Sequence, residues 1–402
     1  MNSRLFGGIL LVIGTTIGAG MLALPVATAE LGFWGSMALL LGCWGVMTAS
    51  ALLFLEVNLW LPANTNVISM AGATLGRGGQ VIVWVVYLFL LYSILSAYMA
   101  GGGDLFHYML NKVGLSISLG ASSILFTALF GVIVYFGIRV VDYFNRGLMF
   151  GKMGSLVLLI LLLLPFVTGI NLSSGAFKNI TQYNSLLTTA VSFGCVMIIP
   201  SLRTYFDGDV KSLRTAILVG MLVPLIFYIA WDLAIMGVVP LSGHPGLAEI
   251  AGSSTSSSDL VLALSTLLNQ RSINIIANFF MPICMVTSFL SVSLGLSDFL
   301  SDGFGVKKAG VMGNSVVFGA TFLPPLAIVL YDSNAFLSCI KYAGVLTLIL
   351  MIFLPSVMAW YGRYHKNLSQ NSYQVRGGKF LLAVLMIFAT LMMVGFGVRV
   401  LT

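Results

Sequence analysis

Gly14-Thr15-Thr16-Ile17-Gly18-Ala19-Gly20 interrupts the first apolar stretch of the chain, which runs from Leu5 to Ile13 and resumes from Met21 to Leu31. A segment crossing a membrane finds no water for its backbone polar groups, so helix is its default form. Three glycines and two threonines in seven residues weaken that helix at what should be mid-membrane depth. Open backbone there is tolerated only where protein or a water-filled cavity surrounds it. Half-helix ends present N–H groups to an anion and carbonyls to a cation, so the break reads as a binding feature.

Composition agrees with a membrane setting. The 402 residues are 59% hydrophobic and 8% charged, against about 25% charged in soluble domains. The fold class expected is all-α integral membrane, with the lipid bilayer as partner. The net charge of +7 comes from basic residues scattered between spans, so no nucleic-acid partner is expected. Cys43, Cys195, Cys284 and Cys339 lie in apolar stretches without paired spacing and read as small buried hydrophobes. His107, His244 and His365 are far apart, so no metal site is expected.

Apolar segments fall at about 5–31, 34–60, 80–106, 117–138, 147–170, 185–206, 215–239, 273–300, 311–330, 335–361 and 379–400, which makes eleven transmembrane helices. Ala27-Thr28-Ala29 resembles a signal cleavage site, but the stretch reaches Leu31 and holds the glycine break and Pro25, so an uncleaved first span is expected. The stretch 240–272 reads as an outer cap with one helix near Ser258–Asn269. With the N-terminus cytoplasmic, fourteen Lys and Arg lie on the inner side, Lys152, Lys307 and Lys308 among them, and five on the outer side. An odd number of spans then puts the C-terminus in the periplasm.

A second break lies five spans on, at Ser192-Phe193-Gly194-Cys195-Val196-Met197-Ile198-Ile199-Pro200-Ser201. Both breaks show small residues, then Met, then Pro a few positions later. They sit in spans of opposite direction, which suggests an inverted repeat with helices 1 and 6 discontinuous and a site between them. A merely proline-kinked sixth span is the alternative.

Gly14-Thr15-Thr16-Ile17-Gly18-Ala19-Gly20-Met21-Leu22-Ala23-Leu24-Pro25 resembles the first span of the hydroxy/aromatic amino acid permeases. The resemblance continues through Leu55-Glu56-Val57, Val141-Asp142-Tyr143-Phe144-Asn145-Arg146 between spans 4 and 5, Thr287-Ser288-Phe289-Leu290, Leu294-Gly295-Leu296, Thr321-Phe322-Leu323-Pro324-Pro325-Leu326 and Tyr342-Ala343-Gly344-Val345. It implies a five-plus-five inverted-repeat (LeuT-like) transporter fold: a first repeat over 1–170, a second over 185–361 and an additional helix at 379–400. It also implies proton-driven import of an aromatic amino acid, tyrosine foremost, across a bacterial inner membrane. The proton gradient is then the energy source, and no cofactor is expected. Cys195, Val196 and Met197 stand where the family has an aromatic residue, a histidine and a small residue, in the expected substrate pocket.

The chemistry of a zwitterion suits the first break. N–H groups around Gly18, Ala19 and Gly20 can face a carboxylate, and carbonyls of the unwound stretches, with the Thr15 or Thr16 hydroxyl, can take an ammonium. For the side chain, Tyr92, Ser93, Ser96 and Tyr98 of span 3 and Phe193 beside Ser192, Gly194 and Cys195 offer rings and polar groups, ordinary packing being the alternative for each. Coupling needs a group that changes charge. Lys152 lies about 12 Å into span 5 if that helix starts near Phe144. It resembles the lysine that replaces sodium in related proton-coupled permeases, with Thr287 and Ser288 as neighbours. Glu56 is read as a gating or structural partner, and Asp232, about 9 Å from the outer end of span 7, as a relay candidate. Asp104 is expected to be solvated, and Asp142 and Arg146 to form a surface ion pair.

Sodium coupling, a broader neutral amino acid permease and a channel are the competing readings. Against an enzyme, the sequence holds no His-Glu-x-x-His and no Gly-x-Ser-x-Gly. A monomer is compatible with the expected function, and the oligomeric state is left open.

Overall fold

The computed structural model describes residues 3–63, 65–306, 310–332, 334–368 and 373–401, and all regular structure among them is helical. The chain runs through α1 (Ser3–Thr16), α2 (Gly20–Ala27), α3 (Gly32–Leu59), α4 (Val67–Lys112), α5 (Leu119–Tyr135) and α6 (Ile138–Leu163). A connection carrying α7 (Gly169–Leu172) leads to α8 (Tyr183–Ser192), α9 (Ile199–Tyr205) and α10 (Val210–Val238). The cap holds α11 (Leu247–Gly252) and α12 (Ser256–Leu268). Beyond it come α13 (Arg271–Phe304), α14 (Gly310–Tyr331), α15 (Ala335–Thr347), α16 (Leu354–Tyr364) and α17 (Gly378–Leu401).

Among the described residues, nine helical runs are long and apolar enough to cross a membrane, and α1 with α2 forms a further pair bent by 53°. α5 is a shorter apolar helix of 17 residues. Lys307 and Lys308 lie outside the described residues.

Two helix starts differ from expectation. α4 begins at Val67, not near 80, and is kinked at Gly76, whose φ of 81° an L side chain rarely adopts. α6 begins at Ile138, not near 147, because a tight turn at Gly137 (φ 90°) ends the preceding connection. The segment Val141–Arg146, expected between spans, therefore lies on α6. There Arg146 and Asp142 form the i, i+4 ion pair, with Nε to Oδ1 at 3.0 Å. Lys152 moves deeper, to about 21 Å from the helix start at 1.5 Å per residue. It is 2% exposed, so it does not belong with the inner-side charges.

Helices in lipid gain little from apolar burial against one another, so close approach depends on small residues. A Cβ on Gly103 of α4 would stand 2.7 Å from the Ser123 Cα of α5, and one on Gly344 of α15 would stand 2.7 Å from the Leu187 carbonyl oxygen of α8. α1 packs on α10, α6 on α13, and α4 on α13 and α15. The four cysteines are free and buried.

Polar groups tie distant elements together. Glu56, fully buried at the end of α3, accepts Arg363 Nε at 2.7 Å and Nη2 at 2.5 Å, and the Val375 N–H at 2.7 Å. Asp104, expected to be solvated, is 3% exposed. Its carboxylate accepts the Ser258 N–H at 2.9 Å and the Ser258 hydroxyl at 2.5 Å, so α4 caps α12 and holds the cap down. The expected cap helix is thus present, and α11 precedes it.

Candidate functional site

The first helix ends where the glycines begin. Thr15 and Thr16 turn their hydroxyls back onto the Val12 carbonyl, at 2.9 and 2.8 Å. The helical ladder is not resumed until Gly20. The peptide groups between are taken by side chains from three other helices. Lys152 of α6 donates Nζ to the Ile17 carbonyl at 2.9 Å. The Ala19 N–H donates to Ser288 Oγ of α13 at 2.9 Å. The Tyr228 hydroxyl of α10 stands 2.6 Å from the Thr16 carbonyl oxygen.

The second break is tied to the first. α8 stops at Ser192, a short 3-10 turn spans Val196–Ile198, and α9 starts at Ile199 with Pro200 in its first turn. The Ser192 carbonyl faces the same Tyr228 hydroxyl at 2.7 Å. One phenol thus sits between the two open strands of backbone.

Between these breaks lies a cavity of about 310 Å³, at the lower end of the ligand-site range of about 300–1,000 Å³. Gly14, Thr15, Thr16, Gly18 and Gly20 line it from the first break, and Ser192, Gly194 and Met197 from the second. Of the other expected residues, Tyr98, Lys152, Thr287 and Ser288 also line it. Lys152 is the charged side chain of this lining. A smaller cavity of about 160 Å³, between Tyr135, Phe318 and Phe322, lies away from the breaks.

Several expected residues are placed elsewhere. Tyr92 turns to α14, where its hydroxyl donates to the Ala320 carbonyl at 2.7 Å. Phe193 is fully buried, edge-on against Tyr228 with centroids 5.2 Å apart. Cys195 is buried with its Sγ 3.0 Å from Met221 Sδ. Ile17 and Ala19 contribute to the site through backbone atoms already paired within the protein. The Thr287 hydroxyl donates to the Cys284 carbonyl of its own helix at 3.1 Å. Asp232 does not line the cavity: it is fully buried and accepts the Ser36 hydroxyl at 2.5 Å, and its Oδ1 has no hydrogen-bond partner among the described residues. Glu56 belongs to the ion pair with Arg363.

This cavity belongs to a chain that matches known proteins over nearly all of its length. Residues 1–395 match the model of the tryptophan/tyrosine permease family. The chain belongs to that family. It is 32% identical to a tyrosine-specific transport system of Haemophilus influenzae, over 97% of this chain and 95% of the relative. It is 32% identical to a tryptophan-specific transport protein of Shigella flexneri, over 96% and 93%. It is 30% identical to a glutamine transporter of Aliivibrio fischeri, over 98% and 99%. The permease is thus a multi-pass membrane transport protein of an aromatic amino acid transporter family, and not an enzyme.

Sequence reasoning missed part of the permease's cavity wall. Tyr87, Leu90, Leu91 and Ile94 of α4 line it, as do Asn145 and Met149 of α6, Ser291 of α13, Thr347 at the end of α15, and Met351 of the run between α15 and α16. The positions 87, 91, 94 and 98 follow helical spacing, which is the signal that would have found the α4 face.

Proposed function

We propose that this permease imports an aromatic amino acid, tyrosine foremost, by proton symport and alternating access across a bacterial inner membrane. The observation that carries the reading is the Lys152 ammonium on the Ile17 carbonyl, beside a cavity lined by both breaks. An ammonium that can give up a proton and become a neutral amine is a proton carrier, and here that change weakens the hold on a carbonyl of the open backbone. A charged Lys152 holds the break tightly; a neutral one holds it loosely enough to move with substrate.

The nine long runs, the bent α1–α2 pair and the shorter α5 are read together as eleven spans. These form a five-plus-five inverted repeat over 1–170 and 185–361 with an additional helix at 379–400, and helices 1 and 6 are discontinuous. With the N-terminus cytoplasmic and the C-terminus periplasmic, the cavity extends from the breaks toward the inner side. Tyr87, Asn145, Met149 and Ser291 lie there. The cap held by Asp104 covers the outer side. This arrangement is read as the inward-facing member of the cycle, with the two broken helices rocking against spans 3, 4, 8 and 9. Gly18 and Gly20 take the substrate carboxylate side, and the lone pairs of the Thr15 and Thr16 hydroxyls take the ammonium.

The likeness to a glutamine transporter favours a second reading, a permease of broader neutral specificity. A thermal-shift panel of the purified protein with the twenty amino acids at two pH values separates the two. A ligand at 100 times its Kd stabilises by about 2.7 kcal/mol. Stabilisation by tyrosine, tryptophan or phenylalanine alone supports the first reading, and a larger shift with glutamine than with any aromatic overturns it.

A further inference from the structure

The cavity wall facing Gly194 comes from a stretch that is not α-helical. Between α15 and α16 the chain takes a wider π turn, Leu348–Phe353. Such a turn adds a residue to the helical repeat and re-aims the side chains beyond it. Just before it, Gly344 brings α15 against the backbone of Leu187, so there is no room for a side chain between the two helices. The π turn then opens the helix and directs side chains at the second break.

Thr347 and Met351, one turn apart, both line the cavity. Met351 is 4% exposed, and its Sδ lies 3.5 Å from the point where a Cβ on Gly194 would stand. Its carbonyl accepts a hydrogen bond from the Ser50 hydroxyl of α3, so the turn is anchored from another helix. Met197 reaches the same cavity from the second break.

We propose that Met351, aimed by this π turn, is a specificity-determining residue, and that Met351 and Met197 form the wall that selects a planar ring. The inference rests on the cavity being the amino-acid site. A thioether is polarizable, adapts to irregular shapes and makes favourable contacts with aromatic rings. The neighbouring Leu90, Leu91, Ile94 and Val191 are apolar. A carboxamide side chain laid against the two thioethers and these apolar groups gains less from them than an aromatic ring does. The wall therefore favours tyrosine, tryptophan and phenylalanine over glutamine.

The test is counterflow of labelled tyrosine in proteoliposomes, with unlabelled tyrosine, tryptophan, phenylalanine and glutamine as competitors. Met351→Leu keeps the volume and removes the sulfur. It is expected to weaken competition by the three aromatic amino acids roughly three- to tenfold while leaving glutamine unchanged. Met351→Ala vacates space and is expected to move the tryptophan-to-tyrosine ratio roughly fivefold toward the larger ring. Ratios within twofold of wild type in both variants overturn the proposal, and so does an equal loss against all four competitors. If Met351→Ala does not give a monodisperse protein, Met351→Leu decides alone. A wild-type protein that exchanges no aromatic amino acid sinks the parent reading instead.

Discussion

Lys152 and Ile17 lie 135 positions apart in sequence, yet the Lys152 Nζ stands 2.9 Å from the Ile17 carbonyl oxygen. The contact joins the deepest charge of α6 to the open backbone of the first break. If that ammonium links protonation to motion, its removal should uncouple transport without emptying the cavity. Lys152→Ala is expected to retain tyrosine exchange and to lose gradient-driven accumulation by roughly tenfold or more. Exchange and accumulation measured on the same vesicles check this, and undiminished accumulation counts against it.

Ser288 accepts the Ala19 N–H, and its Oγ lies 3.0 Å from where a Cβ on Gly18 would stand. Gly18→Ala is therefore expected to impair substrate binding by crowding Ser288. Ser288→Ala leaves a buried N–H unpaired, at a cost of about 1–3 kcal/mol. Because the second change removes the atom the first one strikes, the double variant should be better than the sum of the two. A double-mutant cycle on thermal stability and KM tests this; strict additivity argues against the contact.

Tyr228 holds both breaks through one hydroxyl, 2.6 Å from the Thr16 and 2.7 Å from the Ser192 carbonyl oxygen. A phenol donates only one proton, so it serves one carbonyl at a time. Tyr228→Phe keeps the ring packed on Phe193 and removes that tie. We expect a folded protein with slowed exchange and a stability loss of about 1–3 kcal/mol. Thermal melts with exchange rates measure both, and an unchanged exchange rate contradicts a role for the bridge.

Glu56 and Arg363 form a buried, two-pronged ion pair between α3 and α16. Removing one partner leaves an uncompensated charge, so Glu56→Ala should cost about 3–5 kcal/mol. Asp232 differs, since among the described residues its hydrogen bond comes from the uncharged Ser36. Asp232→Asn is expected to keep uptake within about twofold of wild type, because no charge pair is broken. Melting temperatures and initial uptake rates of the two variants distinguish a structural pair from a relay.

Much of this is readable from residue order. The glycine and threonine run at 14–20 marks the first break because helix propensity is local chemistry. Lys152, Thr287 and Ser288 stand around it, on the two spans where residue order puts them. Orientation of side chains is harder. Phe193 and Cys195 border the second break but face away from the cavity, and adjacency to a break does not say which side opens. Tyr92 and Tyr98 share one helix, yet residues six positions apart point in different directions. The partners of Glu56 and Asp104 are invisible in sequence because Arg363 and Ser258 are 307 and 154 positions away. Met351 escapes because a π turn leaves no plain mark in an apolar run.

The most direct test of proton-coupled aromatic import is uptake of labelled tyrosine into proteoliposomes under an imposed pH gradient, acid outside, without sodium. The wild-type protein should concentrate tyrosine above its external level, lose that accumulation when a protonophore is added, and lose it in Lys152→Ala. Accumulation that tracks a sodium gradient and ignores pH, or no accumulation of any aromatic amino acid, contradicts the account.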